Sequence, residues 1–212
     1  FDFAPSNTPD FRPIADQESG PEIARRAVAA GAFVSIAHPE WSGLTEADAL
    51  SIDAAHAVEI YNHGCQVECD RARGFHTADF LANAGKRLNF IATDDAHFVH
   101  GNKDAFGGWV MVKAEANEPE ALVAALKAGA MYSSTGPDFV DLALDGNMVH
   151  VRSSAVVGMI VQGFGVATAG AFGDSMTCAS IDCTRLAASP WIRVTLFDAA
   201  GRAAWSNPIW RD

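Results

Sequence analysis

The residues "TDDAH", 93–97, end an apolar run with two carboxylates and an imidazole. A charged side chain is costly to bury unless it is paired or bound to a metal ion. A strand that ends in this way therefore indicates the mouth of a site. If the strand continues through the motif, Asp95 and His97 share one face, whereas Asp94 faces away and holds a loop, caps a helix or supports a ligand.

A second imidazole, that of His38, follows the apolar run "AFVSIA" and directly precedes Pro39. Proline restricts the residue before it to extended backbone, and this fixes the direction of the imidazole. In open α/β sheets and barrels, active sites are built at the carboxyl ends of the strands. We therefore predict a metal site formed by His38, Asp95 and His97, in which Asp95 and His97 also act in catalysis. Such a ligand set suits Zn, Mn or Fe and does not choose among them.

Two further residues are candidates for binding a substrate. Asn62 ends a third apolar run, "HAVEIYN", and either orients a substrate or caps the following segment. Trp41 follows "HPE" and either walls a pocket or packs in the core. We interpret His63, His76 and His100 as surface or loop residues. We assign no role to His56 and His150.

The composition limits the classes of protein that fit. With 212 residues, 49% of them hydrophobic and 19% charged, the chain is globular and forms one large domain or two modest ones. A formal charge of −11 argues against a non-specific nucleic-acid binder, although bound metal ions would supply the local positive field of a nuclease. No apolar run reaches the roughly 20 residues that cross a bilayer. The four cysteines are interpreted as free thiols, which favours the cytoplasm.

The order of the predicted elements indicates the fold class. Helices are predicted within residues 19–31, 69–85 and 118–129, and they alternate with short apolar strands, of which "GGWVMVKA" is the fourth. This rhythm is typical of a parallel α/β fold. From Asp138 onward only short alternating runs remain, which predicts a small antiparallel, β-sandwich-like domain. The predicted domains are 1–137 and 138–212.

Several motifs together resemble those of the PHP (polymerase and histidinol phosphatase) superfamily. The resemblance rests on "SIAHPEW", "VEIYNHG" and "IATDDAHF", and it continues through "GGWVMVKAE", "ALKAGAMYSSTGP" and "WIRVTLFDAAGRAAWSNPIW". It is greatest for the phosphoesterases and the carbaryl-hydrolase-type metallohydrolases. It implies a distorted (β/α)7 barrel with two or three divalent ions, and it matches His38, Asp95 and His97 to metal ligands of the family.

The early His-x-His motif of that family is absent from this sequence, as are its strand-borne Glu and its middle His. The resemblance therefore implies the C-terminal half of the barrel, with the N-terminal half missing or on a separate chain. The expected function is hydrolysis of a small phosphate ester by a metal-activated water. The alternatives are a metal-dependent ester, carbamate or amide hydrolase, and a non-catalytic binding module with a degenerate barrel.

Overall fold

The computed structural model describes residues 17–98, 101 and 103–211. The first part of the chain builds a small sheet and the helices that cover it. Its elements are α1 (Gly20–Ala29), β1 (Ser35–Ile36), α2 (Glu46–Ser51), β2 (Ala57–Asn62), α3 (His63–Cys69), α4 (Phe75–Asn83) and β3 (Asn89–Thr93).

The strands β1, β2 and β3 form a parallel sheet in that order. Every residue of β2, the central strand, is buried, as expected for a parallel strand covered on both faces. Val58, Ile60 and Phe90 pack with α2 and α4 in one apolar cluster. The alternation of helix and strand predicted for this region is confirmed.

Local sequence signals account for the helices. Ser19 precedes α1 and donates hydrogen bonds from its backbone N and its Oγ to Glu22 Oε2, both at 2.7 Å. The sequence analysis did not identify α2, although Thr45 and Asp48 form the same kind of capping box. A threonine followed three residues later by an aspartate was the signal for this helix.

The rest of the described chain forms a larger, antiparallel sheet of eight strands. Its strands occur in the spatial order β4-β5-β10-β9-β7-β6, with β8 beside β7 and β11 beside β9. The elements are β4 (Trp109–Val112), α5 (Pro119–Lys127), β5 (Met131–Ser134), β6 (Phe139–Asp145), β7 (Met148–Gly163), β8 (Thr168–Asp182), a 3₁₀ turn (Thr184–Leu186), β9 (Trp191–Phe197), β10 (Ala203–Ser206) and β11 (Ile209–Trp210).

The prediction that "GGWVMVKA" supplies a fourth parallel strand is wrong. The strand within it, β4, is antiparallel to β5 and belongs to the large sheet. Its apolar residues indicate a strand but do not show which strand pairs with it. After α5 the chain returns as β5, which lies beside β4 in the opposite direction. The large sheet also spans the predicted boundary at residue 138, because β5 pairs with β10.

The α/β class is confirmed, with most strands antiparallel in a curled, half-barrel sheet. The (β/α)7 barrel stays a prediction. In the described residues, no helix has the length and apolar character that would let it cross a membrane.

The two sheets share a packed interface. Trp205 of β10 stacks on Tyr61 of β2, with ring centroids 6.0 Å apart, and it also contacts Phe75 of α4. Beside these rings, the buried guanidinium of Arg193 lies over Phe75 and donates two hydrogen bonds of 3.1 Å to the carboxylate of Asp79. The parallel sheet is thereby held against the antiparallel one.

Candidate functional site

His38 and Asp95 meet at the carboxyl end of the parallel sheet. His38 follows β1, Asp95 follows β3, and His38 Nε2 lies 4.0 Å from Asp95 Oδ2. The other ring nitrogen of His38, Nδ1, is 2.8 Å from Ser42 Oγ. Both side chains are partly exposed, so a small ligand can reach the space between them.

Glu59, in the centre of β2, joins the three strand ends. The residue is only 3% exposed. Oε2 accepts hydrogen bonds from the backbone N of His38 at 2.5 Å and from Asn62 Nδ2 at 3.0 Å, and Oε1 accepts one from the hydroxyl of Thr93. The sequence analysis gave Glu59 no role, although a carboxylate inside the apolar run "AVEIY" was a signal that it is buried for a reason.

Asn62 connects this network to Asp95. Its Nδ2 donates to Asp95 Oδ2 at 3.2 Å as well as to Glu59, so both amide hydrogens are engaged. Its Oδ1 accepts from the backbone N of Cys65 at 2.8 Å and so caps α3. Of the two roles considered for Asn62, capping is present in the structure, and its contact with a substrate stays a prediction.

The strand-alternation argument for "TDDAH" is wrong, because β3 ends at Thr93 and Asp95 has a left-handed backbone with φ +48°. The expectation that Pro39 keeps His38 extended is also wrong, since the φ of His38 is +28°. The two aspartates nevertheless point apart. Asp94 binds the loop of residues 106–108, whose backbone N atoms donate to its carboxylate at 2.5, 2.8 and 2.9 Å.

His97 lies on the exposed segment after β3. Its backbone N donates to Asp104 Oδ2 at 2.7 Å. Within the described residues, no group of three or more His, Cys, Asp or Glu side chains is arranged to hold a metal ion. The structure thus brings His38 and Asp95 together and does not bring the ring of His97 into a three-ligand group with them.

The distance between His38 and Asp95 tests how well a metal ion fits. Two ligand atoms of one tetrahedral zinc ion, each about 2.1 Å from the metal, lie about 3.4 Å apart. The observed 4.0 Å is therefore slightly wide, and a small side-chain rotation would close it. An imidazole nitrogen and a carboxylate oxygen suit Zn, Mn or Fe, so the described residues fit part of a metal site.

Trp41 lies beside the imidazole of His38 rather than in the core. The two rings are edge-on, with centroids 4.9 Å apart and an interplanar angle of 71°. Trp41 is 51% exposed. Its predicted role in binding a substrate stays a prediction, but its position next to His38 is compatible with a wall of the site.

Strained backbone is concentrated around this end of the sheet. Of the six described residues other than glycine with positive φ, four belong to the site or to the loops beside it: His38, Asp95, Phe98 and Phe106. Such conformations cost roughly 1–3 kcal/mol each and cluster at active sites and ligand-binding loops. The strain therefore supports a functional interpretation of this region.

The cysteines do not add a thiolate ligand. All four are free, which confirms the prediction of unpaired thiols. Cys65 is the one nearest the site, and burial raises its pKa to about 11. In the absence of a bound metal ion its thiol is therefore protonated at neutral pH.

Comparison with known proteins gave no relative, because no family model, no curated protein and no solved structure matches this chain.

Proposed function

We propose that this chain is part of a metal-dependent hydrolase that acts on a small phosphate ester, with His38 and Asp95 as two of its metal ligands. The observation that carries the proposal is the 4.0 Å approach of His38 Nε2 to Asp95 Oδ2 at the carboxyl end of a parallel sheet. In α/β folds this edge is where catalytic residues gather.

The surrounding residues orient both proposed ligands. Ser42 contacts His38 Nδ1, which leaves Nε2 directed toward Asp95. Asn62 donates to the carboxylate of Asp95, and Glu59 holds the backbone of His38. Hydrogen-bond partners of this kind fix the tautomer and the direction of metal ligands. A cation bound here would polarise a substrate oxygen and lower the pKa of a bound water.

The remaining ligands are proposed on the resemblance to the PHP superfamily. His97 is the proposed third ligand from this chain, and the (β/α)7 barrel is proposed on the same resemblance. A fully assembled site would hold two or three ions. Metal binding by His38 and Asp95 can be tested in this chain.

Metal binding by this chain tests the proposal without an activity assay. Isothermal titration calorimetry of the chain with Mn²⁺ and with Zn²⁺ should show binding. The substitutions His38→Ala and Asp95→Asn should each weaken this binding at least about tenfold. The control is His76→Ala, because His76 Nε2 lies 3.8 Å from Glu46 Oε1 in an exposed pair of the same type. Affinities that are equal in all four proteins would overturn the proposal.

Activity tests the reaction class. In the presence of the metal, p-nitrophenyl phosphate and p-nitrophenyl acetate distinguish a phosphoesterase from a carboxylic ester hydrolase. We expect phosphate release to be lost in Asp95→Asn. In Asp94→Asn, whose native carboxylate binds the loop of residues 106–108, most activity should remain. Faster hydrolysis of the acetate would instead favour an ester, carbamate or amide hydrolase.

A second candidate function is a non-catalytic binding module. It is favoured by a cavity of about 690 Å³ in the curve of the large sheet, between β4 and β5 on one side and β6 on the other. Its walls are mainly apolar and include Met111, Tyr132, Leu142 and Ile209. A chain that binds an apolar small molecule but no metal ion would fit this candidate.

A further inference from the structure

A second cavity, of about 460 Å³, opens between the end of β2 and the β9–β10 hairpin. We propose that it binds a small aromatic anion, meaning a planar ring that bears a carboxylate or a phosphate. We call it the arginine–aromatic pocket and define it by Tyr61, Arg73, Phe106, Thr135, Arg202 and Trp205, which line it. Its volume is in the range of small-molecule sites. Neither His38 nor Asp95 lines it, so the proposal does not depend on the metal site.

The exposed side chain of Phe106 provides a surface for a planar ring. Tyr61 and Trp205 also line the cavity, but they are buried and stacked on each other, with an interplanar angle of 28°. Phe106 lines the same cavity and is 87% exposed. Aromatic groups prefer offset-stacked or edge-on contacts with another ring, and an exposed phenylalanine gains most from a ligand that covers it.

The charge of the pocket favours an anion. The guanidinium of Arg73 lies over the ring of Tyr61, 5.5 Å from its centroid. Among the ion pairs of the described residues, Arg73 has no carboxylate partner, whereas Arg202 Nε is 2.7 Å from Asp198 Oδ2. A planar guanidinium binds a carboxylate or a phosphate through two parallel hydrogen bonds. In a chain with a net charge of −11, this available cation stands out as a binding group for an anion.

Beside Arg73, the carboxylate of Glu40 accepts a 2.7 Å hydrogen bond from the backbone N of Arg73, whereas Tyr61 and His63 add no negative charge. His63 Nε2 is 3.0 Å from the backbone O of Lys103, an acceptor only, so this nitrogen carries the proton. His63 Nδ1, 3.0 Å from the Tyr61 hydroxyl, then accepts from it when the ring is neutral. Burial raises the pKa of Tyr61, which keeps its hydroxyl protonated. The phenol and the imidazole therefore add no further negative charge beside the guanidinium of Arg73.

The backbone of the loop that carries Phe106 is fixed in position at this pocket. Phe106 has φ +62°, an unusual conformation for a bulky residue, and its backbone N donates to Asp94. Gly107 follows and lies so close to His63 that a Cβ on it would be 2.1 Å from the imidazole. The carboxylate of Asp94 thus binds the loop, and Gly107, which has no side chain, lets the loop approach His63. Together they place the exposed ring of Phe106 beside Arg73.

The test is equilibrium binding of four probes, benzoate, phenyl phosphate, cyclohexanecarboxylate and benzamide, to the whole chain in EDTA. Binding is followed by calorimetry and by tryptophan fluorescence, because Trp205 and Trp109 line the cavity. We expect the two aromatic anions to bind at least about tenfold more tightly than the non-aromatic acid and the neutral amide. Whichever of the two binds more tightly identifies the anionic group.

Variants locate the site. Arg73→Ala should weaken binding of the aromatic anions at least about tenfold, and Arg73→Lys should restore part of it. The matched control is Arg71→Ala, because Arg71 is an exposed arginine two residues away that does not line the cavity. Any one of three results would overturn the proposal. The first is equal binding by Arg73→Ala and Arg71→Ala, and the second is equal affinity for benzamide and benzoate. The third is no binding of either aromatic anion at about 10 mM, a concentration near the weak end of specific affinities. Because EDTA removes divalent ions, each of these results leaves the proposed metal site untouched.

Discussion

The buried polar side chains at the end of the parallel sheet are used differently from the buried serines of the antiparallel sheet. At the carboxyl end of the parallel sheet, Glu59 and Asn62 bind one another, and they also bind Thr93 and Asp95 through side chains. In the antiparallel sheet, the buried serines bind the backbone. Ser133 donates to Phe90 O, Ser134 donates to Pro137 O, and Ser206 accepts from Val194 N.

The difference indicates which region is built for a ligand. A serine hydroxyl satisfies a nearby backbone group at little desolvation cost, whereas a buried carboxylate requires several donors. Apolar residues often stabilise a fold as well as buried ionic groups do, so stability alone does not explain Glu59. We infer that Glu59 positions the ends of β1, β2 and β3 relative to one another, and with them His38 and Asp95.

The largest effect on stability is expected from Glu59→Ala. It leaves the backbone N of His38, the amide of Asn62 and the hydroxyl of Thr93 without their common acceptor. At about 1–3 kcal/mol for each unsatisfied buried group, and allowing for relaxation, the free energy of unfolding should fall by about 3–5 kcal/mol. Urea denaturation measures it.

The matched variant in the other sheet is Ser206→Ala, which removes one acceptor from Val194 N. Its expected loss is about 1–2 kcal/mol. If Ser206→Ala destabilises the protein as much as Glu59→Ala does, the proposed contrast between the two sheets is wrong.

An intermediate effect is expected at the interface between the sheets. Asp79→Ala leaves the guanidinium of Arg193, which is 5% exposed, without its carboxylate. Breaking a fully buried pair costs about 3–5 kcal/mol, and because Asp79 is itself about one-third exposed we expect about 2 kcal/mol. Urea denaturation of the single variant and of Asp79→Ala/Arg193→Met checks this. The double variant should recover part of the loss, and a double variant that is less stable than Asp79→Ala would contradict the explanation.

The smallest expected effect is on the pH dependence of stability, and in this the two regions should behave alike. Hydrogen bonds from the hydroxyl and the backbone N of Thr45 lower the pKa of Asp48, and those of Thr184 lower the pKa of Asp182. A lowered folded-state pKa means that the stabilisation is present above the ordinary pKa of an aspartate and is lost as the pH falls through the folded value.

The pH dependence is measured by comparing urea midpoints at pH 6 and pH 2 for the unchanged protein, Asp48→Asn and Asp182→Asn. Asparagine retains a hydrogen-bond acceptor but does not titrate. Each variant should therefore lose less stability on acidification than the unchanged protein does, and by similar small amounts. A variant that loses as much as the unchanged protein would show that its carboxylate is not stabilised in the folded state.

Much of the local structure follows from the sequence. Ser19 and Glu22 mark the start of α1, the apolar run of residues 57–62 predicts β2, and the alternation after Asp138 predicts antiparallel strands. These features depend on hydrogen bonds and side-chain periodicities that span only a few residues. The parallel rhythm also indicated that His38 and Asp95 lie at the same end of one sheet.

Only the tertiary structure decided the rest. The partner of β4, the left-handed backbone at Asp95 and the pocket beside Arg73 depend on groups distant in the chain. Glu59 is the clearest example, because its donors at His38 and Thr93 lie 21 and 34 residues away. In the sequence it is one carboxylate in an apolar run. It becomes the centre of a site only when the three strand ends meet, since the hydrogen bonds that make its burial tolerable are all made by the fold.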